Sequence, residues 1–399
     1  GSLPFLVSGS IPDISNALFE TISGYTTTGA TILTDIEALP KGILLWRSLT
    51  QWIGGMGIIV LAVAILPLLG VGGMQLFVAE APGISPDKLT PRIKETAKRL
   101  WYIYLGLTLL QTVLMMGGGM NLYESFATSL STLATGGFSP KNKSIGHYDS
   151  GYIQYVITIF MFLGGVSFTL IYFGFKRNFS RIFQNEEFRV YTLFLIVLTL
   201  IVSVILFTKV GYDVEKSFRT AAFQVVSIVT TTGFITDDYT AWTPLLTMVF
   251  FLLFFSGGSA GSTSGGIKMV RHILLGKNTL LEFKRQLHPA AIIPVRLNGK
   301  SVTREVISNV LAFIIIYFTA VGVGTLLLAI SGLDFESALS AVAASIGNVG
   351  PAIGSVGPEG SYNHLSDFSK WVLSFCMIIG RLELITVIII FTPNFWARN

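Results

Sequence analysis

Ser23-Gly24-Tyr25-Thr26-Thr27-Thr28-Gly29 decides how this chain is read, because three later stretches repeat it. Aligned on the last glycine they are Ser131–Gly137 (STLATGG), Ser227–Gly233 (SIVTTTG) and, more loosely, Ala344–Gly350 (ASIGNVG). The aligned glycines stand 108, 96 and 117 residues apart, which leaves a helical hairpin's worth of chain in each interval. Each copy follows a helix-like run of moderate polarity and precedes a long apolar run. Backbone rich in Thr and Gly cannot face lipid, where each unpaired carbonyl costs several kcal/mol, but it can line a water-filled path. Four such loops meeting on one axis could replace a cation's hydration shell with main-chain oxygen.

The rest of the composition agrees. Of 399 residues 51% are hydrophobic and 12% charged, with mean hydropathy +0.67, whereas soluble domains carry about 25% charged residues. The fold class is therefore an all-α integral membrane protein of four pseudo-repeated helix–pore loop–helix units around one central pore. A single cysteine, Cys376, excludes an intrachain disulfide framework. Leu3–Val7 reads as the tail of a helix, so residues before Gly1 and most of the first outer helix are expected to be missing from this sequence.

Charge placement orients the units. Lys88, Arg92, Lys94, Lys98 and Arg99 follow the first, Lys176, Arg177 and Arg181 the second, and a link at 268–304 with eight Lys or Arg residues the third. Under the positive-inside tendency these links are cytoplasmic. Outward crossings are expected at Leu100–Met116, Val190–Phe207 and Val310–Leu328, and inward ones from Ile53, at Tyr152–Phe173, from Trp242 and at Trp371–Phe391. The four pore segments then fall on one outer face, near Ile11–Thr31, Tyr123–Ser139, Asp213–Thr236 and Phe335–Ile353. The unit boundaries are 1–86, 87–182, 183–283 and 284–399.

In this reading the filter comprises Thr28, Gly29, Thr135, Gly136, Gly137, Thr231, Thr232, Gly233, Asn348, Val349 and Gly350. The glycines supply backbone angles closed to other residues, and the threonines and Asn348 hold the loops by side-chain hydrogen bonds. Potassium would sit at the carbonyls of Thr28, Gly29, Gly136, Gly137, Thr232, Gly233, Val349 and Gly350. Asp13, Ser125, Asp213 and Ser337 suit the first turns of the pore helices, whose C-terminal dipole ends would point at the cation. Ordinary helix C-caps are the competing explanation of the glycines. Unlike loops (TTTG, ATGG, TTTG, GNVG) predict weaker selectivity than four identical ones.

Two features mark a gate. Ser256–Gly266 has no bulky side chain in eleven residues and lacks the Gly-Lys-Ser/Thr ending of a phosphate loop. Its Gly257, Gly258, Gly261, Gly265 and Gly266 suit unwound chain below the filter, with close packing as the alternative. Arg381 stands within the last apolar run, where an intramembrane charge is a functional feature by default; a structural pairing is the alternative. The paired glycines Gly54 and Gly55, with Gly57, suit close helix packing.

Phe19–Thr31 (FETISGYTTTGAT), Trp46–Val60 (WRSLTQWIGGMGIIV), Ala134–Ser139 (ATGGFS), Gly257–Met269 (GGSAGSTSGGIKM) and Ile379–Val387 (IGRLELITV) together resemble the TrkH-type subunit of the bacterial Trk/Ktr potassium-transport family. The resemblance spans essentially the whole chain. It implies potassium as the bound ion and filter glycines at Gly29, Gly137, Gly233 and Gly350. It also implies an intramembrane loop at Gly257–Gly266 and a pore arginine at Arg381. A homodimer with one pore per protomer, a cytosolic nucleotide-binding ring of the TrkA type and a bacterial inner-membrane location follow from it too. Gated, channel-like potassium uptake is the expected function, with an ion-coupled symporter using alternating access as the rival. No nucleophile–base set, metal-ligand spacing or nucleic-acid patch points to an enzyme or a nucleic-acid partner.

Overall fold

The computed structural model describes residues 1–60, 93–289, 291, 293–391 and 396. Expectations that fall on 61–92, including the far end of the first inward crossing and Lys88 and Arg92, lie outside the described residues. The elements are α1 (Leu3–Val7), α2 (Ile14–Tyr25), α3 (Lys41–Val60), α4 (Ile93–Gly117), α5 (Leu122–Leu133), α6 (Gly151–Gly164), α7 (Phe168–Phe175), α8 (Phe179–Gln184), α9 (Glu186–Ile205), α10 (Val214–Val229), α11 (Pro244–Leu253), α12 (Met269–Leu287), α13 (Arg304–Ile330), α14 (Phe335–Gly347), α15 (Asp367–Arg381) and α16 (Leu384–Ile390). A two-stranded hairpin, β1 (Arg296–Leu297) and β2 (Lys300–Ser301), sits in the basic link between α12 and α13.

Ala97–Gly117, Glu186–Val210 and Arg304–Ile330 are long and apolar enough to cross a bilayer. They are the outer helices of the second, third and fourth units, and their lipid-facing sides carry exposed residues such as Leu109, Ile196 and Phe318. The four pore helices α2, α5, α10 and α14 are shorter and sit inside this shell. Their small and hydroxyl residues, for example Ser129, Ala221 and Ala343, are buried, and they let backbones approach where larger side chains would not.

Each pore helix starts on a side-chain cap. Asp13, Asn121, Asp213 and Asp334 accept the N–H of Asn16, Glu124, Lys216 and Ser337. Asp13 and Asp213 are where the sequence placed them. Ser125 and Ser337 lie one turn further in, and the residues before them, Asn121 and Asp334, do the capping.

Two crossings read as continuous helices are broken. The second inward crossing bends by 108° between α6 and α7, and the last bends by 114° between α15 and α16. Gly165 and Ser167 supply the first break and Glu383, at φ 69°, the second. Apolar periodicity gave no hint of either; at the first, the freed backbone groups are satisfied from elsewhere in the fold, since Ser259 N–H donates to Gly165 O and Phe168 N–H to Gly261 O. The third inward helix, α11, ends at Leu253, and the Gly-rich segment follows as non-helical chain.

Candidate filter and gate

All four pore helices end alike. The N–H of Thr27, Thr135, Thr231 and Asn348 bonds the carbonyl three residues back, and the N–H of Thr28, Gly136, Thr232 and Val349 bonds the carbonyl five back, at 2.8–2.9 Å for the latter set. That pair of bonds is a Schellman cap, and its left-handed residue is Thr27, Thr135, Thr231 or Asn348, at φ 52–55°. Two residues later Gly29, Gly137, Gly233 and Gly350 are left-handed again, at φ 74–97°. The helix cap and the Thr/Gly loop are thus one structure, and the choice between them posed by the sequence dissolves.

The loops close a ring. A Cβ on Gly29 would overlap the Gly136 carbonyl oxygen, one on Gly137 that of Thr232, one on Gly233 that of Val349, and one on Gly350 that of Thr28. Each loop therefore touches the next in chain order, and the fourth touches the first. Neighbouring helices follow the same order: α3 packs on α5, α6 on α10 and α15 on α2. Four helix C-termini converge on this ring, and their partial negative charge favours a cation there.

Among the described residues the carbonyls of Thr28, Gly29, Gly137, Thr232, Gly233 and Val349 accept no hydrogen bond. Gly136 O accepts from Gln51 Nε2 at 2.5 Å and Gly350 O from the Tyr362 hydroxyl at 2.8 Å, leaving each one lone pair. The ring is fourfold in backbone and unequal in its free oxygens.

Side chains hold each loop differently. The hydroxyls of Thr26 and Thr28 pair at 2.8 Å, as do those of Thr230 and Thr232. Asn348 Nδ2 donates to Thr28 Oγ1 and Met377 O. Behind the first loop lies a buried ion pair that sequence reading did not single out: Arg47 to Glu20 at 2.7 Å. Glu20 also accepts Ile32 N–H and the Thr31 hydroxyl. Arg47 stacks on Phe138 at 4.0 Å and so ties the first loop to the second. A charged residue in the middle of an otherwise buried helix face was the available signal for both.

Outside the ring an open cavity of about 200 Å³ is lined by Gly29, Gly137, Gly233, Arg47, Lys141 and Tyr362 among others. Burial alone would lower the Lys141 ammonium, but Glu124 and Glu37, each 3.3 Å away, outweigh it and hold its pKa above the usual lysine value. The mouth therefore keeps this cation charged and locally compensated.

On the other side of the ring, the Gly-rich segment packs directly beneath the loops. Gly265 N–H donates to Thr231 Oγ1 at 2.7 Å, and Thr263 Oγ1 donates to Leu133 O. Glu187, buried at the start of α9, accepts the N–H of Ala260 and Val270 and so ties the middle of the segment to the first turn of α12. Gly257, Gly258, Gly265 and Gly266 are close-approach positions, where a Cβ would crowd neighbouring backbone, whereas Gly261 is open to solvent.

Arg381 is 7% exposed and donates Nη1 to Thr263 O of this segment at 2.7 Å; its Nε and Nη2 are buried with no partner among the described residues. Glu383 turns elsewhere and pairs with Arg271 at 2.6 Å.

A further repeat emerges once the helices are superposed by register. Gly54, Gly164 and Gly380 abut carbonyls at the ends of their own pore helices, Tyr25, Leu133 and Ile346. Gly55 and Gly165, the next residues, abut Ala134 and Thr230 of the following unit. In the fourth unit the second position is Arg381. A Cβ on Gly57, grouped with this pair in the sequence, would meet nothing within 4 Å among the described residues.

With this geometry in view, comparison with known proteins is decisive. Residues 1–398 match the family model of TrkH, described as a cation transport protein. The chain belongs to the TrkH family. It is 43% identical over 404 residues to the Trk system potassium uptake protein TrkH of Halomonas elongata, covering 100% of this chain and 83% of that one. To the Escherichia coli (strain K12) protein of the same description it is 40% identical over 403 residues, with the same coverages. The crystal structure of the potassium transporter TrkH from Vibrio parahaemolyticus superposes with a TM-score of 0.89 at 39% identity, over 100% of this chain and 82% of that one. This TrkH-family chain is a multi-pass membrane transporter of the inner membrane and not an enzyme. Among the described residues no group of three or more His, Cys, Asp or Glu could hold a metal ion.

Proposed function

We propose that the chain forms a potassium-selective, gated, channel-like path for uptake, with the loop carbonyls as its filter. One observation carries the reading: four loops of one backbone conformation close a ring in chain order, with free carbonyls at Thr28, Gly29, Gly137, Thr232, Gly233 and Val349. A dehydrating cation needs several such oxygens at once. Gly136 and Gly350 contribute through their remaining lone pairs, and this unevenness goes with modest rather than strict discrimination.

Ser256–Gly266 and Arg381 are the gate in this reading. Arg381 brings a guanidinium with two unpartnered nitrogens below the ring, where its charge opposes a passing cation. Moving the segment would carry Thr263, and with it the guanidinium's anchor, out of the way.

The family names of its relatives support potassium as the ion. The same family reading brings a homodimer and a TrkA-type nucleotide-binding ring on the cytosolic side. Leu280, Phe283 and Leu287, exposed along one stripe of α12, are apolar surface suited to such a contact.

The bends of 108° and 114° in two inward crossings favour a second reading, ion-coupled symport with alternating access. Proteoliposomes decide between them. A pore gives potassium and rubidium currents that persist without sodium and reverse, in sodium-free solution, at the potassium equilibrium potential whatever the proton gradient. A symporter gives a reversal potential that moves with the proton gradient, or a flux that stops when sodium is withdrawn.

A further inference from the structure

The second loop differs from the others at the residue before its filter glycine. Thr28, Thr232 and Val349 carry side chains there, and the second unit has Gly136. Gly136 is not among the left-handed residues, so its backbone does not call for glycine. What excludes a side chain is Gln51: a Cβ on Gly136 would lie 2.5 Å from the Gln51 amide carbon and 2.6 Å from Oε1.

Gln51 is fully buried. Its Nε2 donates to Gly136 O at 2.5 Å and its Oε1 accepts Phe138 N–H at 3.0 Å, so one amide spans the loop from both sides of Gly137. Gln51 stands three residues before the glycine of α3 that abuts its own pore helix, Gly54. The same register in the second and fourth units, three residues before Gly164 and Gly380, is Met161 and Met377. The one polar residue at this position belongs to the helix that packs against the one loop with glycine.

Resting on the filter reading above, we infer that Gln51 is a positioning residue for selectivity: its amide takes the place of the missing side chain at Gly136 and sets the aim of the Gly136 and Gly137 carbonyls. It acts through the loop and is not itself a ligand of the ion. A side chain that merely filled space would need neither bond, and methionine does fill that register in two other units.

The test uses the full chain in proteoliposomes and reads the potassium-to-sodium flux ratio beside potassium flux and thermal stability. Gln51→Met keeps the volume and removes both bonds; it lowers the ratio by about tenfold, the scale of one buried carbonyl losing its donor. Gly136→Thr alone collides with the amide and lowers the ratio as well. Gln51→Ala with Gly136→Thr relieves that collision and gives the second loop a side chain where the first and third carry Thr28 and Thr232, so its ratio rises above that of Gly136→Thr alone; Gln51→Met, which keeps the volume, is the variant that separates bonding from filling.

An unchanged ratio in a folded Gln51→Met protein overturns the proposal. So does a double variant that is no better than Gly136→Thr alone, in ratio or in stability. Gly233→Ser, in a loop Gln51 does not touch, separates the two levels. If it too leaves the ratio unchanged, the filter reading fails and takes this proposal with it. If it alone changes the ratio, only the role of Gln51 is lost.

Discussion

The first, third and fourth units hold their loops with residues of their own, while the second borrows. Thr26 with Thr28 and Thr230 with Thr232 are matching hydroxyl pairs. Nine residues before each filter glycine stand Glu20 and Gln224, and both grip the chain just beyond the loop, at Thr31–Ile32 and at Thr236–Asp237. The same position in the other two units is Thr128 and Ala341. There other residues brace the loop: Gln51 of the first unit on Gly136, and the fourth unit's own Tyr362 on Gly350 and Ser340 at Ile353. The backbone angles are nonetheless the same in all four. What repeats in this molecule is a backbone shape, and the side chains that enforce it are free to differ. That is why ASIGNVG belongs with SGYTTTG despite sharing few residues with it.

The strongest way to probe the self-held units is through the buried Arg47–Glu20 ion pair of the first. Arg47→Met leaves Glu20 buried and unpaired, and the protein should lose about 3–5 kcal/mol of stability, seen as an earlier thermal transition in detergent. Adding Glu20→Gln should return part of that loss. The third unit already carries the neutral Gln224 there, so Gln224→Glu should destabilise in its turn.

The ring makes a prediction about equality. Alanine at Gly29, Gly137, Gly233 or Gly350 needs a left-handed backbone and overlaps a neighbouring carbonyl oxygen. Each change should cut rubidium uptake about 100-fold or more, the rate equivalent of roughly 2.7 kcal/mol. One tolerated alanine would show that its unit stands outside the ring. Alanine at Gly57, whose Cβ would meet nothing within 4 Å among the described residues, is the matched control with normal uptake.

Smaller effects sharpen the contrast below the filter. Arg381→Ala should raise potassium uptake, by about tenfold if its charge is the barrier; slower uptake by a folded protein would make Arg381 a brace for Thr263 instead. Tyr362→Phe removes one donor from Gly350 O, a change of about 1 kcal/mol that should shift the potassium-to-sodium ratio by a few-fold. Thr26→Val breaks the hydroxyl pair of the first loop and should do no more than that.

The legible part of the fold was the part written in residue type. Four Thr/Gly loops, three basic links and long apolar runs announced the membrane class, the pore segments and the outer helices. The glycines announced their left-handed positions. The hidden part depended on partners distant in sequence. The Gly-rich segment satisfies the backbone freed at the Gly165–Ser167 break, and Arg271 pairs with the carboxylate of Glu383 at the other; no local pattern records either partner. Asn121 and Asp334 were missed as caps because the motif was placed one turn too far along. Gln51 and Arg47 read as ordinary polar residues near the start of an apolar helix until their contacts at Gly136 and Glu20 gave them a purpose.

The central claim is that one cation path runs along the axis these loops enclose. Crystals grown in rubidium, measured at the rubidium absorption edge, test it most directly. Anomalous density is expected on that axis within coordination reach of carbonyls from all four loops, displaced by potassium and displaced less by sodium. Density bound to a single loop, or off the axis in a pocket between two helices, would contradict it.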